Sequence, residues 1–345
     1  MSEQQKLVTF LVPAYNAEPY LDKCVTSLLK GGQSVEIIII DDGSKDKTAE
    51  IADRYAAENP SIVRVVHQEN GGHGAGINVG MEQATGLYFK VIDSDDWVDE
   101  EALGKYLFQI KKFKDEGNMP DLIVTDFVFE HVDDGKQSVK SYSRIFKPDV
   151  MMTWNEIKFW QADDYLMIHG TTMRTKVLQD AGFKLPHHRF YEDNVYVYRS
   201  LYYVKTIYYM PIPFYRYYVG REGQSINIHT MAKRYRQQLD NMTEIVLAYQ
   251  YEDIMKLEKK HRKTLIHMIN IYSFLTLTFV SVDYNRDHYH EFKAYKREFK
   301  AKNPKLYRKI NYRTSYILPN LLIRPLRIGS VNFGYKIFYH MTNWG

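Results

Sequence analysis

The feature that most constrains the fold is a regular alternation of short apolar runs and helical patterns over the first hundred residues. The runs are rich in β-branched residues and are bounded by turn-forming residues, as expected of buried strands. They span residues 7–12, 35–40, 63–66 and 87–92. A repeated β-α-β order predicts a parallel sheet covered by helices, and such sheets bind ligands at the carboxyl ends of their strands.

The composition is that of an ordinary globular protein, and its 345 residues suffice for two domains. Hydrophobic residues make up 45% and charged residues 26% of the chain, which excludes extended disorder and collagen-like repeats. The single cysteine, Cys24, cannot form an internal disulfide. The first residues lack the basic and apolar blocks of a signal peptide, so we expect a cytoplasmic protein.

The pattern changes from Asp121 onwards. Residues 122–130 and 139–146 read as longer strands that extend the first domain, and the pattern after Asn227 is almost wholly helical. We therefore predict one domain over residues 1–228 and a helical region over residues 229–345. Residues 264–282 carry no formal charge, but they include seven polar side chains, which favours a buried helix over a membrane span.

The carboxyl-terminal end is strongly basic. Residues 291–345 hold 12 Lys or Arg against two Glu, and aromatic residues are interleaved with these cations. Such a segment can lie on an anionic membrane surface, or it can be a solvated helix face followed by a packed tail. No recognised nucleic-acid-binding module accompanies the charge, so we predict no nucleic-acid partner.

Three carboxylates follow the fourth predicted strand, at Asp93, Asp95 and Asp96. Like charges this close are costly unless a cation neutralises them. Oxygen ligands of this kind suit Mg²⁺ or Mn²⁺, which characteristically bridge a carboxylate and a diphosphate. An acidic turn that caps the next helix is the alternative, and the position at a strand end favours the metal site.

Polar and aromatic side chains follow the first two strands at the same predicted edge: Pro13, Tyr15 and Asn16 after the first, and Asp42 after the second. A nucleotide could stack and hydrogen-bond there, although each element alone is ordinary turn chemistry. The glycine-rich segment at residues 70–80 follows the third strand instead of the first, and its spacing is not that of a dinucleotide fingerprint. It still allows close backbone approach to a diphosphate or sugar.

An acidic pair, Glu192-Asp193, stands beside Phe190 and Tyr191 before an aromatic helical run. A half-buried carboxylate there could act as a general base. Equally, the pair could favour the start of the helix through the macrodipole.

Taken together and in this order, these segments resemble family 2 of the glycosyltransferases, of the type that builds bacterial cell-surface polysaccharides and glycoconjugates. The matching residues are 12–16, 36–46, 70–80, 93–96 and 192–193, with a weaker match at 215–216 and 221–226. The resemblance covers roughly the first two-thirds of the chain. It implies a GT-A fold, an α/β Rossmann-like nucleotide-binding sheet with helices on both faces, here with a mostly helical carboxyl-terminal domain.

The resemblance also implies roles for single residues. Asp193 would be the catalytic base with Glu192 as its neighbour, and Asp95 would hold Mn²⁺ or Mg²⁺ with help from Asp93 and Asp96. Pro13, Tyr15 and Asp42 would contact the nucleoside base, Asp93 the ribose or a metal-bound water, and Arg221 would lie on a loop that closes over the donor. The whole implied donor-binding set is Pro13, Tyr15, Asn16, Asp42, His73, Asn78, Asp93 and Arg221.

The implied activity is a metal-dependent, inverting hexosyl transfer from a nucleotide-sugar, foremost a UDP-sugar, to an acceptor hydroxyl. A saccharide or lipid-linked saccharide would be the acceptor. One departure is Ile77, because many members of the family carry an arginine there; His73 or another cation would have to compensate, or the donor pocket differs. A non-catalytic nucleotide-binding or saccharide-binding relative and a nucleotidyltransferase are the alternatives. The latter would normally have a glycine-rich, basic phosphate loop after its first strand, which residues 12–16 do not form.

Overall fold

The computed structural model describes residues 5–132, 135–220, 228–282 and 286–311, and the chain divides into two compact units. Unit 1 comprises Met1–Thr153, Leu166–Arg189 and Tyr203–Val219. Unit 2 comprises Trp154–Tyr165, Phe190–Tyr202 and Gly220–Gly345. The domain boundary at residue 228 stays a prediction.

Unit 1 is built on a mixed sheet that contains ten strands within the described residues. The strands are β1 (Val8–Ala14), β2 (Val35–Asp41), β3 (Val63–His67), β4 (Tyr88–Val91), β5 (Trp97–Val98), β6 (Leu122–His131), β7 (Gln137–Lys140), β8 (Met151–Thr153), β9 (Thr171–Arg174) and β10 (Thr206–Val219). The main order is β3-β2-β1-β4-β9-β6-β10-β5. Strands β1 to β4 pair in parallel, whereas β9 runs antiparallel to both β4 and β6. The predicted α/β sheet is confirmed.

Helices cover this sheet, and strands β1 and β2 are buried along their whole length. The helices of unit 1 are α1 (Leu21–Leu29), α2 (Thr48–Glu58), α3 (His73–Gln83), α4 (Glu100–Glu116) and α5 (Thr175–Ala181). All seven residues of β1 and all seven of β2 are buried, as is typical of parallel strands that are covered on both faces.

The strand predicted at residues 139–146 is wrong beyond its first two residues. Strand β7 ends at Lys140, and the backbone N–H groups of Ile145 and Phe146 then donate to the carbonyl of Tyr142. The side chains of these three residues are all buried. Their spacing is that of a helical turn instead of the alternation of a strand, so the turn buries all three apolar side chains where an extended chain would expose one or two.

A buried polar group fixes the register of the first strands. The carboxylate of Glu36 on β2 accepts from Thr9 Oγ1 at 2.5 Å, from the Thr85 N–H at 2.9 Å and from Arg64 Nη2 at 2.7 Å. Burial alone would raise the pKa of Glu36, but these hydrogen bonds lower it below its ordinary value. The paired carboxylate thus ties β1, β2 and β3 to the turn before β4.

Two glycines of unit 1 give a matched stability test. A Cβ on Gly86 would lie 2.6 Å from the carbonyl carbon of Val8 and closer still to the Thr9 nitrogen, whereas a Cβ on Gly104 in α4 would meet no atom within 4 Å. We expect Gly86→Ala to destabilise the protein by about 1–3 kcal/mol through overpacking. Gly104→Ala should stabilise it by up to about 1 kcal/mol through helix propensity. Urea denaturation measures both, and equal effects of the same sign would contradict this packing.

Unit 2 is helical throughout its described secondary structure, apart from a short turn of 3₁₀-helix at Trp154–Glu156. Its helices are α6 (Asp193–Leu201), α7 (Ile228–Lys233), α8 (Tyr235–Leu247), α9 (Tyr251–Lys256), α10 (Lys259–Val282), α11 (Arg286–Lys302) and α12 (Pro304–Asn311). Over Lys259–Ser281, α10 is long and apolar enough to cross a membrane, and 89% of its apolar window is buried inside the protein. The core helix of a soluble domain has the same properties, and this was the interpretation from the sequence.

Candidate active site

The acidic turn lies at the carboxyl end of β4, as predicted. Ile92 continues the pairing with β1 by donating its N–H to the Leu11 carbonyl at 2.8 Å. The chain then turns, and the Asp96 N–H donates to the Asp93 carbonyl at 2.9 Å. Parallel strands present their carboxyl ends at one edge of a sheet, so this turn stands beside the loops that follow β1 and β2.

Two histidines contact the carboxylate of Asp93. His73 Nε2, at the start of α3, lies 3.1 Å from Oδ1, and His169 Nε2 lies 3.4 Å from Oδ2. Burial would raise the pKa of Asp93, but the imidazoles of His169 and His73 hold it well below its usual range. Asp93 is therefore ionised and keeps a negative charge at the edge of the sheet.

Asp96 is buried and has a different environment. Its Oδ2 accepts from the Tyr215 hydroxyl at 2.6 Å, and its Oδ1 accepts from the Tyr218 N–H at 2.8 Å. The same hydroxyl accepts from the Asp93 N–H at 3.1 Å. Burial, reinforced by the charge of Asp93, raises the pKa of Asp96 well above its ordinary value. Two carboxylates three residues apart thus have opposite tendencies to ionise.

His169 lies in an aromatic enclosure. Its ring stacks on Tyr217 with centroids 4.2 Å apart and meets Tyr215 edge-on at 4.8 Å. The residue is only 5% exposed, and neither ring nitrogen makes a hydrogen bond of acceptable geometry within the described part of the chain. A buried imidazole with this one long contact to Asp93, beside a second carboxylate, is the kind of group that could serve as a ligand to a cation.

A buried lysine holds the segment that carries His169. Lys90 Nζ, inside β4, donates to the His169 carbonyl at 2.7 Å and to the Thr171 carbonyl at 3.2 Å. Burial lowers the pKa of Lys90 to about 7. Sequence reasoning missed both residues. A lone lysine within the apolar run at residues 87–92 was the available signal for Lys90, and nothing local marked His169.

Three side chains at this edge could provide ligand atoms for a divalent metal ion. One ligand atom each from Asp93, Asp96 and His169 lies within 4.8 Å of the others. Carboxylate oxygens with an imidazole nitrogen are a set that suits Mn²⁺ or another first-row divalent ion. Asp95 stands in the same turn and is half-buried, but it is not part of this group. Its predicted role as the chief metal ligand stays a prediction.

Asp42, after β2, holds the glycine-rich segment. Its Oδ1 accepts from the Gly71 N–H at 2.8 Å and from Gln68 Nε2 at 2.6 Å, and its Oδ2 accepts from the Gly72 N–H at 2.8 Å. Gly72 has φ +82°, which a side chain would strain. His73 follows at once and reaches Asp93, so the structure joins Asp42, His73 and Asp93 in one continuous network.

The other predicted donor-binding residues of unit 1 have separate surroundings. Tyr15 is 52% exposed, while Pro13 is buried. Asn16 Oδ1 accepts from the Lys45 N–H at 2.8 Å. The side-chain amide of Asn78 both donates to and accepts from the backbone of Leu185, at 2.9 and 2.7 Å. Their contacts with a donor stay predictions, and Arg221 lies outside the described residues.

The isoleucine that replaces the expected arginine is a core residue. Ile77 is fully buried within unit 1. His73, four residues earlier on the same helix α3, contacts the Asp93 carboxylate through its imidazole. The compensation for a missing arginine by His73 stays a prediction.

Glu192 and Asp193 lie in unit 2, at the start of α6. Glu192 is buried, and its side chain makes no capping hydrogen bond. Asp193 is the first residue of the helix, where the macrodipole favours an ionised carboxylate. Its Oδ1 accepts from Asn194 Nδ2 at 3.4 Å. The pair thus stands at the start of a helix, as the second interpretation from the sequence expects, and the role of Asp193 as general base stays a prediction.

Comparison with known proteins identifies the group to which these residues belong. Residues 9–170 match the model of glycosyl transferase family 2. EpsH of Bacillus subtilis is 27% identical over 236 residues, which are 67% of this chain and 64% of EpsH. The chain thus spans less than two-thirds of the length of EpsH.

Solved structures share the fold. The S. aureus TarS fragment 1–349, in complex with UDP-GlcNAc, superposes with a TM-score of 0.64 at 19% identity over 97% of this chain and 90% of that one. The mannosyltransferase PcManGT from Pyrobaculum calidifontis, in complex with GDP-Man and Mn²⁺, has a TM-score of 0.51 at 15% identity over 90% of this chain and 84% of that one. The chain thus combines a GT-A-like sheet with a segment, residues 9–170, that matches glycosyltransferase family 2.

Proposed function

We propose that this protein transfers a hexosyl group from a nucleotide-sugar to an acceptor hydroxyl with inversion at the anomeric carbon. The observation that carries the proposal is the network from Asp42 through His73 to Asp93, Asp96 and His169 at one edge of a nucleotide-binding type of sheet. A UDP-sugar is the foremost donor, since UDP-GlcNAc and UDP are the ligands in the TarS complexes.

A divalent ion would be held by Asp93, Asp96 and His169, with Asp95 from the same turn. When bound, Mn²⁺ or Mg²⁺ supplies positive charge to the diphosphate leaving group. The PcManGT complex with Mn²⁺ supports this part of the proposal. Within the chain, Tyr215 holds Asp96 and Lys90 holds the backbone at His169, so the donor atoms are fixed before an ion arrives.

The donor would be bound by the loops after β1, β2 and β3. The exposed ring of Tyr15 can stack on the nucleoside base, and Pro13 and Asn16 shape the same loop. Both Asp42 oxygens accept from the glycine-rich turn, so Asp42 acts chiefly by fixing the backbone of residues 71–72. α3 begins directly after this turn, at His73, and the positive end of its dipole would favour an anionic donor.

Asp193 would remove the proton from the attacking acceptor hydroxyl. Its position at the first residue of α6 favours the ionised carboxylate that a base requires. Attack on the face opposite the diphosphate converts an α-linked donor into a β-linked product. Glu192 would act as its neighbour, by orienting an acceptor or donor hydroxyl.

The acceptor would be a saccharide or a lipid-linked saccharide of a cell-surface polysaccharide or glycoconjugate. The basic end of the chain would bring the cytoplasmic protein to an anionic membrane surface, where each cation contributes about 1 kcal/mol. Within the described part of that end, α11 and α12 carry lysines and arginines such as Lys293, Lys300 and Lys305. Residues 312–345 lie outside the described residues.

Release of nucleoside diphosphate from a panel of nucleotide-sugars tests the function. We expect Mn²⁺-dependent turnover of one UDP-sugar, with no release in the presence of chelator. Calorimetric titration with UDP in Mn²⁺ accompanies the assay. If no nucleotide-sugar released nucleoside diphosphate and UDP did not bind, the proposed transferase activity would be refuted and a non-catalytic relative favoured. Release of pyrophosphate from a nucleoside triphosphate would instead identify a nucleotidyltransferase.

A further inference from the structure

One helix of unit 2 holds the backbone of Phe190, three residues before Asp193. The Phe190 N–H donates to Gln237 Oε1 at 2.9 Å, and its carbonyl accepts from Asn241 Nδ2 at 2.7 Å. Gln237 and Asn241 are four residues apart on α8 and therefore lie on the same face. Both hydrogen-bonding groups of one residue in an irregular segment are thus satisfied by side chains of a single helix.

The ring of Phe190 and the next residue are held as well. The guanidinium carbon of Arg234 lies 3.4 Å from the centroid of the Phe190 ring, a cation–π contact. Tyr191 has φ +65°, and its ring packs edge-on against Phe279 of α10 with centroids 5.1 Å apart. A non-glycine residue keeps such a backbone conformation only where its surroundings enforce it. Residues 190–191 therefore adopt a shape that the rest of unit 2 imposes on them.

We propose that Gln237 and Asn241 are positioning residues that set the place of Asp193. The inference rests on the proposed role of Asp193 as general base. Two residues separate Phe190 from Asp193, so a shift of the Phe190 peptide passes directly to the first turn of α6. Displacement of a reacting group by about 1 Å can cost on the order of 100-fold in rate. Helices α6 and α8 both lie beyond residue 170, where the match to the family model ends.

Near-isosteric variants separate the two hydrogen bonds from general packing. Asn241→Asp replaces the donating Nδ2 by an oxygen, and Gln237→Met removes the acceptor oxygen. We expect each to lower kcat by about 10- to 100-fold, with the KM for the donor and the affinity for UDP in Mn²⁺ nearly unchanged. Gln237→Glu keeps an acceptor oxygen at the same position and should recover most of the loss seen in Gln237→Met.

A neighbour on the same helix controls for stability. Gln238 is buried and donates from Nε2 to Thr276 Oγ1 at 3.0 Å, without contact to Phe190 through that amide. Gln238→Met should lower the melting temperature at least as much as the two test variants, yet leave kcat unchanged well below that temperature. If kcat in all three variants simply followed the melting temperature, the positioning role would be refuted.

Amide hydrogen exchange gives a readout that does not depend on turnover. In Asn241→Asp and Gln237→Met we expect faster exchange at residues 190–194 than in the wild type, and no change there in Gln238→Met. Unchanged exchange at these residues would overturn the inference even if kcat fell in both variants. Wild-type kcat in Asn241→Asp and Gln237→Met, beside an inactive Asp193→Asn, would refute only the positioning role. Full activity of Asp193→Asn would refute the assignment of the base.

Discussion

We expect asparagine in place of Asp193 to lower kcat by about 10²- to 10⁴-fold, the usual contribution of a positioned general base, and to leave Mn²⁺-dependent binding of UDP nearly intact. The substitution keeps the size of the side chain and its place at the first residue of α6. It removes the charge and the basic oxygen that would take the acceptor proton. Steady-state assays of nucleoside diphosphate release, with UDP titrations in parallel, measure the two effects separately.

An exposed carboxylate of the same unit provides the control for this prediction. Asp240 lies on the exposed side of α8, so Asp240→Asn changes the net charge equally and should keep wild-type kcat. A folded Asp193→Asn protein that lost UDP binding together with turnover would show that Asp193 acts in binding. Loss of activity in Asp240→Asn would point to a general effect of charge.

We expect the second large effect from substitution of Asp93 by asparagine, which should weaken the Mn²⁺-dependent binding of UDP. Asp93 is the ionised carboxylate of the Asp93, Asp96 and His169 group, and its replacement removes the charge that would attract the cation. Mutation of a residue that only hydrogen-bonds to a metal ligand, without contacting the metal itself, typically costs about 10- to 100-fold in metal affinity. We therefore expect Asp93→Asn to weaken Mn²⁺-dependent UDP binding by more than about 100-fold, and His169→Ala by about 10- to 100-fold.

Asp99 is the matched control for the metal site. It lies three residues beyond Asp96, where its carboxylate accepts from the Ala102 N–H at 3.0 Å and from Arg216 Nη2 at 2.6 Å. Asp99→Asn should therefore retain Mn²⁺-dependent UDP binding. Calorimetry with MnCl₂ and UDP, with and without chelator, measures all three variants. If the wild type and His169→Ala bound UDP in Mn²⁺ with equal affinity, His169 would not be a metal ligand, and the proposed ligands would be the carboxylates of the turn alone.

Much of the fold could be predicted from local pattern. The four predicted parallel strands occur within two residues of their predicted ends, because a buried strand is marked by its own apolar, β-branched residues. The position of Asp93 to Asp96 follows from the same reasoning, since parallel order alone brings the carboxyl ends of β1, β2 and β4 to one edge. The strand predicted at 139–146 failed because Tyr142, Ile145 and Phe146 fit a buried turn as well as a strand, and only packing decides between them.

Local sequence predicts the α/β alternation, the acidic turn at the end of β4 and the resemblance to glycosyltransferase family 2, because each depends on neighbours along the chain. The surroundings of the site instead depend on tertiary packing. Tyr215 reaches Asp96 from 119 residues away and Lys90 reaches His169 from 79 residues away. Gln237 and Asn241 pair with Phe190 from 47 and 51 residues away. Contacts of this kind arise when strands and helices pack, and they leave no periodicity or spacing in the sequence from which they could be read.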